Sequence, residues 1–373
     1  MDERRLKDSF ARVAAYGDEV ALFFYSHLFL AHPEVRAMFP VSMLAQRDKL
    51  LGALGRIVAE VANHDTLVPF LRGLGRDHRK FSVLAEHYPA VGASLLATLA
   101  HFSGTAWDED LARDWTEAYT AVALVMTEAA AEDATRNPAA WEATVVAHER
   151  RTAEIAVLKV LPDVPLGYLP GQSVAVECPA RPRLWRYYSM ANAPRPDGTL
   201  DFHVRVIDGG PVSSALARTA LVGSRLRLGP PVGALRLDAS SRRDVVLAAG
   251  STGLAPFKAL VEQAAGLAGH GPPRMHLVFG ARTAAELYDL GDLEKMAARW
   301  PWLTVTPAVS EDNAYRGETG TVADVIGRQV PLADQDVYIC GSPAMVAATA
   351  DRLRSLGMTQ DHIFVEDFGW SES

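Results

Sequence analysis

The sequence predicts three architectures in succession, all-α, antiparallel β-barrel and α/β parallel sheet, from three observations. Over about 5–136, apolar positions recur at three- and four-residue spacing (Val13, Val20, Phe23, Phe24, His27) among alanine, leucine and charged residues. Over about 151–240, short runs alternate with period two between Gly/Pro clusters such as Pro170-Gly171, Gly209-Gly210-Pro211 and Gly229-Pro230-Pro231. From Asp244 onward, apolar strand runs alternate with helical ones, the mark of a parallel sheet.

Taken in order, Pro33, Pro40, Pro69, Pro89 and Gly104 divide the first region into about six or seven helices. A composition shift at 137–150 precedes strands expected at 152–160, 173–177, 200–206 and 225–228. The last third reads as strands at 245–248, 276–279, 303–307 and 337–340, with helices at 256–266, 284–298, 322–328 and 344–356. The expected domains are 1–137, 145–240 and 241–373. No internal repeat or low-complexity segment interrupts them.

The 373 residues are 49% hydrophobic and carry a formal net charge of −8, which disfavours a general nucleic-acid binder because phosphate neutralisation needs a concentrated basic face. The first residues are charged with both signs and lack a signal-peptide pattern. No run approaches the roughly 18 apolar residues of a membrane span. Cys178 and Cys340 are the only cysteines and stand far apart, so no disulfide framework is expected and the cytoplasm is the simplest location.

Four segments carry candidate chemistry. Gly250-Ser251-Thr252-Gly253 followed by Pro256 is a glycine turn between an apolar strand and a helix, a place for a pyrophosphate or an ordinary βα loop. Cys340-Gly341-Ser342-Pro343 ends a later strand on the same rim, where ligands of open α/β sheets sit; alone, Cys340 reads as a small buried hydrophobe. Arg186-Tyr187-Tyr188-Ser189 joins a cation, aromatic faces and a hydroxyl suited to a flavin, and Gly209-Gly210-Pro211-Val212-Ser213 comes next as a second phosphate-type loop; both also read as a strand edge and a turn. His78 precedes Tyr88 by ten residues across a helix break, and alone it reads as a structural histidine.

In their order along the chain, these segments over about 145–373 resemble the ferredoxin–NADP reductase-type flavin reductase module. The resemblance implies that Arg186, Tyr188 and Ser189 meet the flavin ring and Val212 and Ser213 its pyrophosphate. It places Gly250, Thr252, Gly253 and Pro256 at the nicotinamide dinucleotide and Cys340 and Gly341 at the nicotinamide rim. Glu366 and Phe368 belong to its C-terminal flavin-contacting segment, in which Asp367 stands where relatives often have cysteine.

An all-α region ahead of such a module resembles the globin domain of flavohaemoglobins. That likeness implies haem b with His78 as the proximal iron ligand, Tyr88 and Glu132 as partners of the imidazole, and Tyr25 and Gln46 on the distal side. Trp115 and Tyr119 match its late aromatic helix. His87 is the rival to His78, and Glu128 the alternative to Glu132. Asp77 stands where the family carries lysine, leaving Arg76, Arg79 or Lys80 to supply the positive charge.

The implied cofactors are haem b, FAD and NADH, with Arg282 leaving NADPH as the alternative. The implied activity is a nitric oxide dioxygenase: an NAD(P)H–FAD–haem relay turns NO and O2 into nitrate, in a monomer without nucleic-acid partners. One alternative keeps these cofactors in a hydroperoxide reductase or biosynthetic haem oxidoreductase, which an electron-rich proximal triad would favour. Another is an O2 or NO sensor or carrier.

Overall fold

The computed structural model describes residues 2–366 except 239–240, 242, 268–270, 331 and 333. The chain divides into two compact units, one built on residues up to Ala140 and one on Trp141 onward.

The first unit is helical: α1 (Glu3–Ala14), α2 (Asp18–Ala31), α3 (Leu44–Ala59), α4 (His64–His78), α5 (Tyr88–Ser103) and α6 (Glu109–Ala134). Asp2 and Asp108 cap α1 and α6 by accepting the backbone N–H groups of Arg5 and Leu111. The stripe Leu67, Phe70, Leu71 and Leu74 turns one face of α4 toward Met126 of α6. A second cluster gathers Val20, Phe24, Tyr25 and Leu28 of α2 with Leu95, Leu99, Leu111 and Trp115. Both clusters are fringed by half-buried apolar side chains, among them Phe29, Phe39 and Val91 on one and Leu74 and Tyr88 on the other.

The second unit begins with an antiparallel barrel of β1 (Trp141–Arg150), β2 (Ile155–Pro162), β3 (Ser173–Glu177), β4 (Arg186–Ser189), β5 (Leu200–Arg205) and β6 (Arg225–Leu228), in the order β4-β3-β6-β1-β2-β5. A bridge between Met190 and Phe202 draws its two edges together. β1 starts four residues ahead of the boundary read from composition, because Trp141, Ala143 and Val145 alternate inward before the strand turns polar. A short helix, α7 (Pro211–Ser214), comes after β5.

The remainder is a parallel sheet with helices on both faces: β7 (Asp244–Gly250), α8 (Leu254–Ala265), β8 (Met275–Ala281), α9 (Leu290–Arg299), β9 (Leu303–Val309), β10 (Glu318–Thr319), α10 (Val322–Gln329), β11 (Gln335–Cys340), α11 (Pro343–Ser355) and β12 (Ile363–Val365). The strand order is β10-β9-β8-β7-β11-β12. Alternate residues of β7 serve two cores, Val245, Leu247 and Ala249 against α8, and Val246 and Ala248 against α10 and α11. The helix expected at 284–298 is broken: a short turn at Ala284–Glu286 precedes α9, because Leu287, Tyr288 and Asp289 between them are turned into the interior. Among the described residues no helix is long and apolar enough to cross a membrane.

Candidate functional site

His78 is positioned by a close crossing of two helices. A Cβ on Gly75 would lie 2.2 Å from the carbonyl oxygen of Met126, so only glycine lets α4 approach α6 here. His78 ends α4 one turn later, half-buried, with Nδ1 2.8 Å from the carbonyl oxygen of Leu74. Burial lowers its pKa, so the ring is neutral. A neutral imidazole that donates from Nδ1 presents the Nε2 lone pair, the form a metal requires. Among the described residues no group of three or more His, Cys, Asp or Glu side chains could hold a metal ion, so iron here needs a group that brings its own ligands. Haem fits that donor set, with two apolar clusters available to cover it.

The expected imidazole–carboxylate pairing is not present. Glu132 is exposed and ion-paired with Arg72, and Glu128 is exposed as well. The phase of α6 explains this: its inner stripe runs through Val122, Met126 and Ala129, and both glutamates fall beside it toward solvent. The Tyr88 hydroxyl has no carboxylate partner among the described residues, and burial pushes its pKa up to about 12. Tyr88 instead accepts at its backbone carbonyl from the Tyr119 hydroxyl at 2.5 Å. His87 is engaged in a cap, its Nδ1 3.0 Å from the backbone nitrogen of Leu84.

The charges around His78 are also settled. Asp77 and Lys80 are 9% and 3% exposed and pair at 2.5 Å, so the negative charge is neutralised within the same segment. Arg79 pairs with Asp133 and reaches the Asn137 carbonyl, while Arg76 stays exposed. On the α2 side, Tyr25 is 5% exposed and donates to the backbone carbonyl of Gln46 at 3.2 Å, ringed by Phe29 and Phe39. Burial raises its phenol well above the usual value, which keeps it a neutral donor.

In the second unit the structure brings three expected residues into one constellation. The Ser189 hydroxyl donates to Glu366 Oε1 at 2.9 Å, and the Cys340 thiol to Oε2 at 2.8 Å. Burial pushes the Glu366 carboxyl up to about 7 against the lowering effect of its two donors. Burial and the Glu366 charge hold the Cys340 thiol protonated. β4 pairs with β3 so that Arg186 and Tyr188 share one face and Ser189 lies on the other. Val212 and Ser213 open α7, where the Ser213 hydroxyl closes the Ile207–Gly210 turn. Phe368 lies outside the described residues.

The glycine turn lies beside this constellation. Gly250 ends β7, Ser251 takes φ 50°, and Thr252 and Gly253 lead into α8, with Pro256 in its first turn. A Cβ on Gly253 would lie 2.3 Å from the Cys340 carbonyl oxygen, so this glycine serves the packing of two strand ends. Gly250 and Gly341 meet across the same gap. Gly253→Ala is expected to destabilise the second unit by about 1–3 kcal/mol, read from its thermal unfolding midpoint. Ser342 caps α11 by accepting from Met345.

Arg205 escaped the sequence analysis, whereas Glu286 stands in the Glu286-Leu287-Tyr288-Asp289 run after β8. Arg205, at the end of β5, donates to the Ser251 hydroxyl at 3.3 Å and so brings a cation from the barrel to the turn. Glu286, past the end of β8, grips Arg282.

Known proteins divide the chain in the same way. It matches the Globin family over residues 22–126, the oxidoreductase FAD-binding domain over 142–237 and the oxidoreductase NAD-binding domain over 246–351. It is 30% identical over 384 residues to a flavohemoprotein of Bordetella parapertussis, covering 95% of this chain and 94% of that one. It is 35% identical over 227 residues to the reductase component of the naphthalene 1,2-dioxygenase/salicylate 5-hydroxylase systems of a Ralstonia species, covering 60% of this chain and 68% of that one. A crystal structure of flavohemoglobin from Malassezia yamatoensis, with bound FAD and heme, superposes with a TM-score of 0.81 at 18% identity, covering 98% of this chain and 97% of that one.

Proposed function

We propose, from the premise that this chain belongs to the flavohaemoprotein family, that it is an oxidoreductase acting as a nitric oxide dioxygenase, using NADH, FAD and haem to turn NO and O2 into nitrate. Haem iron supplies a centre that binds a diatomic gas and accepts single electrons, and FAD converts a hydride donor into one-electron steps.

The observation that carries the reading is the hydrogen bond of His78 to the Leu74 carbonyl. A carboxylate on that nitrogen would make the imidazole electron-rich and favour O–O cleavage; a backbone carbonyl donates less. The site therefore supports gas chemistry over hydroperoxide reduction. Tyr25, neutral through burial, supplies a hydroxyl for negative charge that develops on O2, once it swings from the Gln46 carbonyl.

In the reductase half, Gly250, Thr252 and Gly253, with Arg205 beside Ser251, would hold a dinucleotide pyrophosphate. Arg186 and Tyr188 on β4, with Val212 and Ser213 of α7, would hold the flavin. A hydride is two electrons and a proton. A flavin bound here would release a proton when its electrons pass on singly, and Glu366, hydrogen-bonded to Ser189, would be the group to take it and return it to water.

The deciding experiment mixes anaerobically reduced protein with O2 and NO and follows NADH oxidation together with nitrate. Stoichiometric nitrate supports the reading. Turnover with peroxide and none with NO would replace it, and gas binding without turnover would make the chain a carrier. Tyr25→Phe should raise the O2 dissociation rate about tenfold, the loss of one hydrogen bond of roughly 1.5 kcal/mol, measurable by ligand-exchange kinetics.

A further inference from the structure

The helix that begins at the glycine turn is fastened to the barrel along one of its faces. Lys258 and Glu262 stand four residues apart on α8, so their side chains leave the same side of the helix. Lys258 pairs with the buried Asp289, which lies 3.7 Å from Arg151, just past β1 of the barrel. Glu262, half-buried one turn later, reaches the barrel directly. Its Oε2 accepts the backbone N–H of Ala193 at 3.0 Å, and its Oε1 accepts from Arg195 Nη2 at 3.0 Å.

The segment that Glu262 grips leads straight out of β4 and has little slack. Ala193 comes four residues after Ser189, and Met190, Ala191 and Asn192 between them are buried. The Met190 N–H donates to the Gln172 carbonyl at 3.2 Å, and the Ala191 N–H to the Asp201 carbonyl at 2.8 Å. The Asn192 side chain donates to the carbonyls of Ala193 and Thr199 at 2.8 and 3.0 Å and accepts from the Asp201 N–H at 2.7 Å. Arg195 is held at its other nitrogen by the Asp201 carboxylate at 2.7 Å. A pair of partly exposed side chains alone contributes little, but a carboxylate that spends one oxygen on a main-chain N–H has its place fixed by the backbone. Glu262 therefore ties the position of α8 to the strand that bears Arg186, Tyr188 and Ser189.

We propose that Glu262 is a positioning residue of the reductase half, fixing the distance between the dinucleotide helix and the flavin strand so that hydride transfer starts from a preset geometry. This rests on the proposed use of FAD and NADH and adds the residue that spaces their two sites. The partners of Glu262, Ala193 and Arg195, lie outside both sets of candidate binding residues. Its removal therefore changes spacing rather than a ligand contact. A misplacement of about 1 Å between reacting groups costs about a hundredfold in rate, so about tenfold is the scale expected from loosening one of two fastenings on α8.

The test is anaerobic flavin reduction in the purified flavin-loaded full chain, followed at the flavin absorbance over a range of NADH concentrations. Glu262→Ala should lower the limiting reduction rate by about tenfold and leave the NADH dissociation constant within about twofold. Glu262→Gln keeps an oxygen for the Ala193 N–H and should retain most of the native rate. Hydrogen–deuterium exchange without nucleotide gives a second readout: the Ala193 amide should exchange at least about tenfold faster in Glu262→Ala than in the native chain. Where Glu262→Ala does not fold, Glu262→Asp, one methylene short of the Ala193 N–H, carries the same expectations. A variant that lost flavin or thermal midpoint while its rate per bound flavin stayed native would make the role structural and overturn the assignment. So would a weakened NADH affinity at an unchanged limiting rate, or native exchange at Ala193. If NADH did not reduce the flavin of the native chain at all, the reductase reading would fail and take this proposal with it.

Discussion

Replacing His78 by glycine is expected to abolish the native axial ligation of haem and reduce NO-dependent NADH oxidation by at least about a hundredfold, whereas Glu132→Ala leaves both unchanged. The first expectation comes from the Nε2 lone pair that the Leu74 carbonyl fixes on His78. His87 is spent on the Leu84 cap and cannot take its place without unmaking that turn. Because a side-chain deletion at a helix end can also loosen the fold, the decisive readout is rescue: added imidazole should restore the ligated spectrum of His78→Gly. The second expectation comes from exposure. Glu132 and Arg72 form a surface pair worth about 0–1 kcal/mol, and the carboxylate does not reach the imidazole. Resonance Raman of the reduced protein should place the iron–imidazole stretch where a neutral imidazole puts it, in native chain and Glu132→Ala alike. A ligated spectrum in His78→Gly without imidazole would move the ligand elsewhere. A downshift of that stretch in Glu132→Ala would restore the carboxylate.

The difference between these two residues marks how far the sequence could be read. Helical spacing along Leu67, Phe70, Leu71 and Leu74 gives the buried face of α4, and with it the end at which His78 stands. It gives no rotational phase for α6, where Glu128 and Glu132 point about 40° apart and Asp133 about 100° beyond Glu132; the Gly75–Met126 crossing sets that phase. The strand at 141–150 was hidden for a related reason, since its second half, Ala147 to Arg150, carries no apolar alternation. Cys340 was legible as a rim residue and Ser189 as part of a flavin-suited strand, and the family resemblance added Glu366 to the same module. Their meeting on a single carboxylate depends on β11 lying between β7 and β12 against the barrel, a pairing no local pattern encodes. Arg205 looks like an ordinary surface charge in sequence. The continuous helix expected over 284–298 is broken by the inward turn of Tyr288 and Asp289, which leaves Glu286 ahead of α9 and paired with Arg282.

Glu366→Gln is expected to slow NADH-driven ferricyanide reduction by about a hundredfold and to remove its pH dependence near neutrality, the scale of a lost proton-transfer group. In the native chain the carboxyl, pushed up to about 7 chiefly by burial, must be ionised to accept a proton, so turnover should rise as pH rises through that value. The stability effect has the opposite slope. A carboxyl raised in the folded state binds more protons there than in the unfolded chain between about 4.5 and about 7. Its contribution is therefore complete below that window and is lost as pH climbs through it, so the thermal midpoint of the second unit should fall while its turnover rises. Glu366→Gln keeps the shape and the neutral state, and should hold the midpoint flat over the same window. Ser189→Ala, which removes the hydroxyl bridging toward the flavin side, should slow turnover while preserving the pH inflection, because the Cys340 thiol still holds the carboxylate. An inflection that survives in Glu366→Gln would assign the proton to another group, and one that vanishes in Ser189→Ala would make the serine the titrating step's gate.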